Sequence, residues 1–341
     1  MLKEKYMKKL LYLVIILLVF GLSINAEEAL LIDFSLLTPD FPADSPTLNE
    51  RTIMDYSTLA GRGYTAEQRQ EMKSSLALEE WTVTLNSSAK SMLADSVSNV
   101  RAAQVNPESD LYSGETVLGF RTLFPSEPYN AFITITPPFE ILPTADRDEL
   151  QVDGSLIVPE EEIGGSRKFV SFGVLQNVGS LRSMSVSTYG LNYPHRMTIL
   201  IEDNDRVVHE IPFGNLEFSG WGEVSWENPN YIEDVRKREL RIRPTYPTGL
   251  SYIRLLGIRI YRNGDQIGGD YVGYVKDIKV TYDRANQQLE EDINSEAIWG
   301  IQQQRADEQR FNSLERFGRE QVLQYIERLN QHVVQDIDGI E

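Results

Sequence analysis

The sequence predicts an all-β protein: an antiparallel β-sandwich of the jelly-roll or galactose-binding-like kind, with a short inserted helix and a C-terminal helical extension. Three observations predict this class. From residue 169 to 282, short runs of alternating apolar residues are separated by Gly, Pro and Asn/Asp clusters, the pattern of half-buried strands joined by turns. The runs recur every ten to twenty residues, as in two-sheet antiparallel folds. After Asp283 the composition changes to one that favours helix.

The central stretch contains most of the predicted strands. A hairpin is predicted at the turn Asp203-Asn204-Asp205, because apolar runs flank it on both sides. This turn lacks the Gly and the closing Glu of a calcium-binding loop. The strands predicted here are 183–189, 197–201, 207–211, 221–226, 240–243, 252–261 and 271–282.

The N-terminal half is predicted to supply the remaining strands and the inserted helix. Thr65 and Gln68 have the spacing of a capping box, so a helix is predicted to begin there and to run to about Leu78, with Met72 and Leu76 toward the sandwich. Residues 86–99 are expected to form a loop, and residues 137–165 a long surface excursion. The strands predicted here are 29–34, 81–85, 117–124 and 131–135.

The first 26 residues have the features of a secretory signal peptide. Four lysines precede thirteen uncharged, mostly apolar residues (10–22), and Ala26 supplies a small residue for cleavage before Glu27. The alternative is a membrane anchor, but the apolar run is shorter than the roughly 20 residues needed to span a bilayer. We therefore predict a signal peptide (1–26), a β-sandwich (27–283) and a helical tail (284–341), with no membrane insertion after cleavage.

Charge and cysteine content exclude several function classes. The chain has a net charge of −18 and no cysteine, and without residues 1–26 it keeps 29 basic and 50 acidic side chains, a net charge of −21. Such a charge repels nucleic acids and anionic membrane surfaces, so neither is predicted as a partner. The absence of cysteine excludes disulfides, thiolate metal sites and a thiol nucleophile.

Residues 284–341 are predicted to form an amphipathic helix. The segment has ten Gln, twelve acidic and six Arg residues, neither Lys nor Pro, and apolar residues near a 3.6-residue spacing. A helix of this kind is stable only when its apolar stripe is packed. It either packs on its own sandwich or acts as an assembly arm on a neighbouring subunit, with Arg310, Phe311, Arg316 and Arg319 as contact residues. We expect the arm, so truncation should leave thermal stability nearly unchanged.

No catalytic constellation is evident, so the chain is not predicted to be an enzyme. His195, His209 and His332 lie far apart in the sequence and offer no locus for a three-histidine metal site or a Ser/His/Asp triad. The motifs HExxH and GxSxG are absent. Asp33 and Asp277, in the first and last predicted strands, form a weak candidate pair for a structural calcium ion. No other cofactor is predicted.

Aromatic side chains supply the candidate binding residues. Trp221 and Trp226, with Tyr193 nearby and Tyr325 in the tail, are candidates for stacking on sugar rings or anchoring a protein partner. Because Trp221 and Trp226 are five residues apart in one strand, their side chains are expected on opposite faces. One of the two is therefore predicted to be available to a partner.

Five stretches of the sequence resemble the FlaA family, the outer-layer or sheath proteins of the spirochaete periplasmic flagellar filament. They are WTVTLNSSA (81–89), VLGFRTLFPSEPYNAFITITPPFEI (117–141), VGSLRSMSVSTYGLNYPHRMTILIED (178–203), RELRIRPTYP (238–247) and IGGDYVGYVKDIKVTYD (267–283). The resemblance covers residues 27–283. It implies a non-enzymatic protein, exported to the periplasm by the general secretory route, that assembles around flagellin core subunits with other sheath proteins. Such a layer contributes to filament shape, stiffness and motility.

A second resemblance leaves an alternative open. The segments ALLIDF (29–34) and GDYVGYVKDIKVTYD (269–283) are also similar to galactose-binding-like jelly rolls of carbohydrate-binding modules. The chain would then be a secreted carbohydrate-binding or glycosidase-related, lectin-like protein. Glycans linked to flagellin would be ligands that fit both hypotheses. The signal peptide, the lack of a catalytic set, the acidic composition and the long tail favour the filament hypothesis.

Overall fold

The computed structural model describes residues 27–38, 52–55, 57, 63–127, 130–142, 149–150, 156–157, 172–233 and 251–285, and residues 298–301, 304, 307–308, 311–312, 315–323 and 326 of the C-terminal segment. The predicted signal peptide, the predicted strand 240–243, Arg310 and Tyr325 lie outside these residues. Within the described residues, no helix is both long and apolar enough to cross a membrane.

The secondary structure consists mainly of strands. Two short α-helices are α1 (Ala66–Glu71) and α2 (Met92–Val97), and two 3₁₀ turns cover Phe34–Leu36 and Leu78–Glu80. The strands are β1 (Glu27–Asp33), β2 (Ile53–Asp55), β3 (Lys73–Ser75), β4 (Thr82–Leu85), β5 (Asn99–Gln104), β6 (Thr116–Phe124), β7 (Phe132–Thr136), β8 (Glu149–Leu150), β9 (Leu156–Ile157), β10 (Val174–Gln176), β11 (Val178–Leu191), β12 (Arg196–Asp203), β13 (Val208–Asn215), β14 (Ser219–Glu227), β15 (Tyr252–Tyr261) and β16 (Gly269–Arg284).

The strands form two antiparallel sheets that pack face to face. The first sheet has the order β14-β11-β16-β6-β5, with β1 paired to the C-terminal half of β16. The second sheet has the order β13-β12-β15-β7-β4, with β10 paired to β15. β2 with β3 and β8 with β9 form two small separate pairs. The predicted all-β antiparallel sandwich is therefore confirmed.

The core lies between the sheets and follows from the period-2 pattern. In the second sheet, Ile211, Ile199, Ile258 and Ile135 are successive cross-strand partners and are nearly inaccessible to solvent. β-branched side chains of this kind pack well against cross-strand neighbours on a pleated surface. The row joins β13, β12, β15 and β7 into one apolar layer.

A β-bulge in β16 places two charged residues on the outer face of the first sheet. Val275 pairs with Thr188 and Asp277 pairs with Ser187, so Lys276 is the extra residue. A bulge interrupts the strict alternation of side chains. Val275 and Ile278 can therefore both be fully buried in the core. Lys276 and Asp277 point away from it.

The predicted hairpin at residue 203 is confirmed. The Asp203 carboxylate accepts hydrogen bonds from the backbone amides of Asp205 and Val207, both at 2.9 Å. His209 Nε2 lies 2.8 Å from the other carboxylate oxygen of Asp203. An Asp that bonds to the backbone two residues later is the usual stabiliser of such a turn.

Two helix predictions need correction. The capping box of Thr65 and Gln68 is present, but α1 ends at Glu71 because the next residues pair as β3 with β2. Residues 86–99 are not all loop, since α2 begins after the N-cap Ser91. The side chains of Met92 and Leu93 in this helix are 94% and 63% exposed. Helix α2 therefore lacks the buried apolar stripe by which a helix can be predicted from its sequence.

Candidate interaction surfaces

Three aromatic residues form a continuous row on the outer face of the first sheet. Trp221, Tyr189 and Tyr274 are cross-strand partners on β14, β11 and β16. The ring centroids of Tyr189 lie 5.4 Å from Trp221 and 6.2 Å from Tyr274, in edge-to-face geometry. All three side chains are half-buried. We call these residues, together with Tyr112 described next, the aromatic row.

The loop between β5 and β6 extends the row at one side. The Tyr112 ring lies 4.9 Å from Trp221, again edge to face. Lys276 Nζ lies 5.7 Å from the Tyr112 centroid and bonds to Asp33 Oδ1 at 2.7 Å and Glu115 Oε2 at 3.0 Å. Burial opposes the charge of Lys276, but the hydrogen bonds that its ammonium donates to the two carboxylates outweigh burial and raise the pKa of its amine. The buried ammonium thus fixes the loop beside the row.

The sequence identified only one member of this row. Trp221 and Trp226 lie on opposite faces, as predicted, and Trp226 packs against the core. Trp226 is half-buried, as Trp221 is, but it contacts the core instead of joining the row. The sequence analysis missed the three tyrosines. Tyr189 and Tyr274 are 85 residues apart and meet only through strand register, and Tyr112 lies in a loop.

Tyr193 belongs to a different cluster. Its ring stacks on His195 with the planes 14° apart and meets Tyr271 edge to face. His195 is 3% exposed and accepts a hydrogen bond at Nδ1 from the backbone of Asn263. Burial, and then the charge of Arg262, lower its pKa to about 4, so it is neutral at physiological pH. The predicted grouping of Tyr193 with Trp221 is wrong, because Tyr193 packs against the core.

The calcium hypothesis for Asp33 and Asp277 also needs correction. The two residues are direct cross-strand partners, as a shared site requires. However, Asp33 Oδ1 already bonds to Lys276 and to the backbone and hydroxyl of Ser35. Among the described residues, no three acidic or histidine side chains are grouped so as to hold a metal. Calcium takes six to eight oxygen ligands, and here an ammonium lies against the carboxylate instead.

The helical tail packs against its own sandwich through a small set of residues. Phe317 is 3% exposed, belongs to the core cluster and meets Phe139 with ring centroids 5.4 Å apart. Gln321 is 5% exposed and accepts a hydrogen bond from Ser74 Oγ at 2.8 Å. Arg316 donates to both oxygens of Glu140 at 2.5 and 2.6 Å. The expectation that the tail leaves its own domain free is therefore wrong for this part of the helix.

Glu140 connects the tail to a buried ion network. Arg254 donates to Glu140 at 2.6 Å and to both oxygens of Glu202 at 2.8 and 2.9 Å. Burial raises the pKa of Glu140, but the hydrogen bond and charge of Arg254, followed by the charge of Arg316, lower it more. Glu140 is thus held ionised between two guanidinium groups.

The lowered pKa of Glu140 predicts that acid weakens the tail contact. A carboxyl group with a depressed pKa in the folded state stabilises that state above its ordinary pKa of 4.5, and loses the effect as pH falls through the folded pKa. The melting temperature of the wild type should exceed that of Glu140→Gln at pH 6, and the difference should shrink as the pH falls below 4.5 and through the lowered pKa of Glu140. A difference that stays constant over this range would contradict the assignment.

Other predicted assembly residues stay at the surface. Phe311 is 64% exposed, and Arg319 forms an exposed pair with Glu315 one turn earlier. Ile298, Trp299 and Leu323 are also more than 60% exposed. The described part of the tail therefore has a docked side and a second set of apolar residues in solvent.

The fold and these surfaces define a class before any comparison is made. Two packed sheets carry a partly exposed aromatic row and a docked helix with apolar residues in solvent. Aromatic side chains presented in this way are typical of surfaces that bind a partner. The molecule has the features of a binding or assembly protein.

The comparisons with known proteins then identify the family. Residues 45–291 match the family model described as "FlaA: Flagellar filament outer layer protein Flaa". A flagellar filament outer layer protein of Treponema pallidum is 42% identical over 94% of this chain and 94% of its own length. One from Spirochaeta aurantia is 41% identical over 92% of this chain and 90% of its own length. The chain belongs to the FlaA family of flagellar filament outer layer proteins, as its sequence resemblance indicated.

Solved structures with similar folds are distant. The structure of TmCBM61 in complex with β-1,4-galactotriose is 11% identical, with a TM-score of 0.28, and covers 60% of this chain and 90% of its own. The family 11 carbohydrate-binding module of the cellulase Lic26A-Cel5E of Clostridium thermocellum has a TM-score of 0.22 at 11% identity, and covers 62% of this chain and 91% of its own. Similarity at this level indicates nothing about a ligand. Family membership favours the structural filament hypothesis over the carbohydrate-binding alternative.

Proposed function

We propose that this protein is exported to the periplasm, cleaved after Ala26, and assembled as the outer layer around flagellin core subunits of the periplasmic flagellum, together with other sheath proteins. It has no enzymatic role in this proposal. Membership in the FlaA family is the observation that carries it. Glu27 pairs with Tyr282 of β16, so the proposed mature chain starts with a residue of the first strand.

The aromatic row is the surface we assign to the filament contact. Trp221 and its tyrosine neighbours combine large apolar rings with polar tips, the residue types that dominate binding energy at protein interfaces. Charged pairs surround them, including Arg121 with Asp270 on the same face. Such pairs add salt dependence and orientation more than affinity. Glycans linked to flagellin are proposed partners of the same face, since exposed rings also stack on sugars.

Removing the Trp221 ring tests this proposal. We expect Trp221→Ala to lower the amount of protein that cosediments with stripped periplasmic filaments at least about tenfold, because interface tryptophans contribute on the order of 2 kcal/mol or more. Ile267→Ala is the matched control, since Ile267 is 85% exposed and lies outside the row. It should bind as the wild type does.

Two results would count against the proposal. If the wild-type protein fails to cosediment with filaments at every ionic strength tested, it does not form the layer. If Trp221→Ala retains its fold by circular dichroism and still coats filaments fully, the contact lies on another surface. Competition by free saccharides would assign the contact to a glycan rather than to the flagellin chain.

A further inference from the structure

We infer that strand β14 is an open sheet edge, and that an extended segment of another filament protein pairs with it as an additional antiparallel strand. The segment that fits carries basic side chains at every second position, with apolar residues between them. This inference rests on the proposed function, because it takes the partner from the filament. It adds backbone pairing, and a chemistry for the partner, to the contact assigned to the aromatic row.

Hydrogen bonds at the two ends of β14 indicate which of its backbone groups face outward. The amide of Asn228 donates to the carbonyl of Arg182 at 2.8 Å. The amide of Asn192 donates to the carbonyl of Phe218 at 2.9 Å. Both pairs continue the register of β14 with β11, which has no shift. Bonded and non-bonded pairs alternate in an antiparallel ladder, so the even-numbered residues of β14 bond to β11. The odd-numbered residues therefore direct their amides and carbonyls away from the sheet.

The outward backbone groups of β14 have no partner within the described part of the chain. They belong to Trp221, Glu223, Ser225 and Glu227, and no described segment other than β11 bonds to the backbone of these residues. The strand has nine residues, none of them buried, and contains neither Pro nor Lys. Edge strands are commonly protected by Pro, Lys, bulges or shortness, and an edge without these devices is a template for another strand.

The edge strand of the second sheet, β13, is protected in ways that β14 is not. Pro212 is the partner of Thr198. The bond from the Asp203 amide to the Val207 carbonyl places Pro212 in a non-bonded pair, where an amide would point outward. Proline has no amide hydrogen, so this edge lacks a donor there. The register also shifts by one residue after Met197. Two edges of one molecule thus differ in whether another strand can pair with them.

The side chains along β14 select the chemistry of the added strand. Glu223 and Glu227 are exposed, on the same face as Trp221. Val224 and Trp226 are half-buried and contact the core. Opposite charges on facing residues stabilise a strand pair, and like charges destabilise it. A second β14 is a poor match, since this strand has two glutamates and no basic residue. Alternating basic and apolar residues complement both faces.

Proline substitution tests the edge on the protein side. Ser225→Pro removes an outward amide and leaves the bonds to β11 intact. The matched control Val208→Pro removes an outward amide from β13, where Val208 is in a non-bonded pair with Glu202. Both variants should fold, because edge strands accept proline where the amide faces solvent. We expect Ser225→Pro to reduce cosedimentation with stripped periplasmic filaments at least about tenfold, because the ring removes a hydrogen bond and blocks close approach of a strand. Val208→Pro should bind as the wild type does.

Peptides test the chemistry of the partner without filaments. The probe is a capped, fluorescein-labelled hexapeptide in which arginine alternates with valine, and its control has glutamate in place of arginine. Fluorescence anisotropy should show at least about tenfold tighter binding of the arginine peptide. Its arginines face the outward amides of β14, so N-methylation of the arginines should abolish binding. N-methylation of the valines, whose amides point to solvent, should leave binding unchanged.

Three results would overturn the inference. If Ser225→Pro folds and coats filaments as fully as Val208→Pro, the filament contact does not use this edge. If both N-methylated peptides bind equally well, charge alone holds the arginine peptide. If Ser225→Pro melts far below Val208→Pro, β14 already pairs within its own chain, for example with the basic stretch 236–243. Failure of the wild type to cosediment with filaments, with peptide binding as expected, would reject the proposed function and still support strand addition at β14.

Discussion

Replacing Arg254 by methionine should lower the free energy of unfolding by about 3–5 kcal/mol, the cost of breaking a buried ion pair by removing one partner. The Arg254 side chain is 8% exposed and that of Glu202 is 10% exposed. Without the guanidinium, the buried Glu202 loses its ion-pair partner, and Glu140 loses one of its two cations. Urea denaturation followed by circular dichroism measures the change.

A double variant separates the unpaired charge from the lost packing. Arg254→Met combined with Glu202→Gln removes both charges, and it should be more stable than Arg254→Met alone, because a neutral amide is cheaper to bury than a carboxylate. If Arg254→Met alone lowers the free energy of unfolding by less than about 1 kcal/mol, the network contributes little to folding.

Ile199→Ala should lower the free energy of unfolding by about 2–5 kcal/mol, because it removes most of a large buried side chain and the cavity left behind only partly collapses. Ile199 is fully buried at the centre of the isoleucine row, between Ile211 and Ile258. Ile199→Val is the matched control, and it should cost about 0.5–1.5 kcal/mol because it removes a single methylene. Unfolding in denaturant measures both variants. A loss below about 0.5 kcal/mol for the alanine variant would mean that the row does not hold the sheet together.

The strands were predictable because their side chains obey a period of two. The hairpin at Asp203 and the strands around Ile199, Tyr252 and Tyr271 could all be read from apolar alternation and turn residues. Register could not be read in this way. The Tyr189–Tyr274 pair depends on which residues of β11 and β16 face each other, and the bulge at Lys276 shifts that pairing.

The tail shows the other limit of sequence reasoning. Its apolar spacing predicted an amphipathic helix that packs against another surface, but the spacing does not indicate which residues form that surface. The residues that cover the helix are Ser74, in a segment predicted to be helical, and Phe139 and Glu140, in a segment predicted to be a surface excursion. A binding site composed of such positions has no periodic signal, so the contact of Phe317 was not foreseen.

The pairing of β1 with β16 has a consequence for how the chain folds. Glu27 is the partner of Tyr282, so the first strand of the sandwich is held by the last one. Contacts between residues so distant in sequence raise the contact order and slow folding to milliseconds or longer. The first sheet lacks its central strand until nearly the whole chain has emerged. A chain that emerges from its N-terminus therefore cannot complete the first sheet until β16 has emerged.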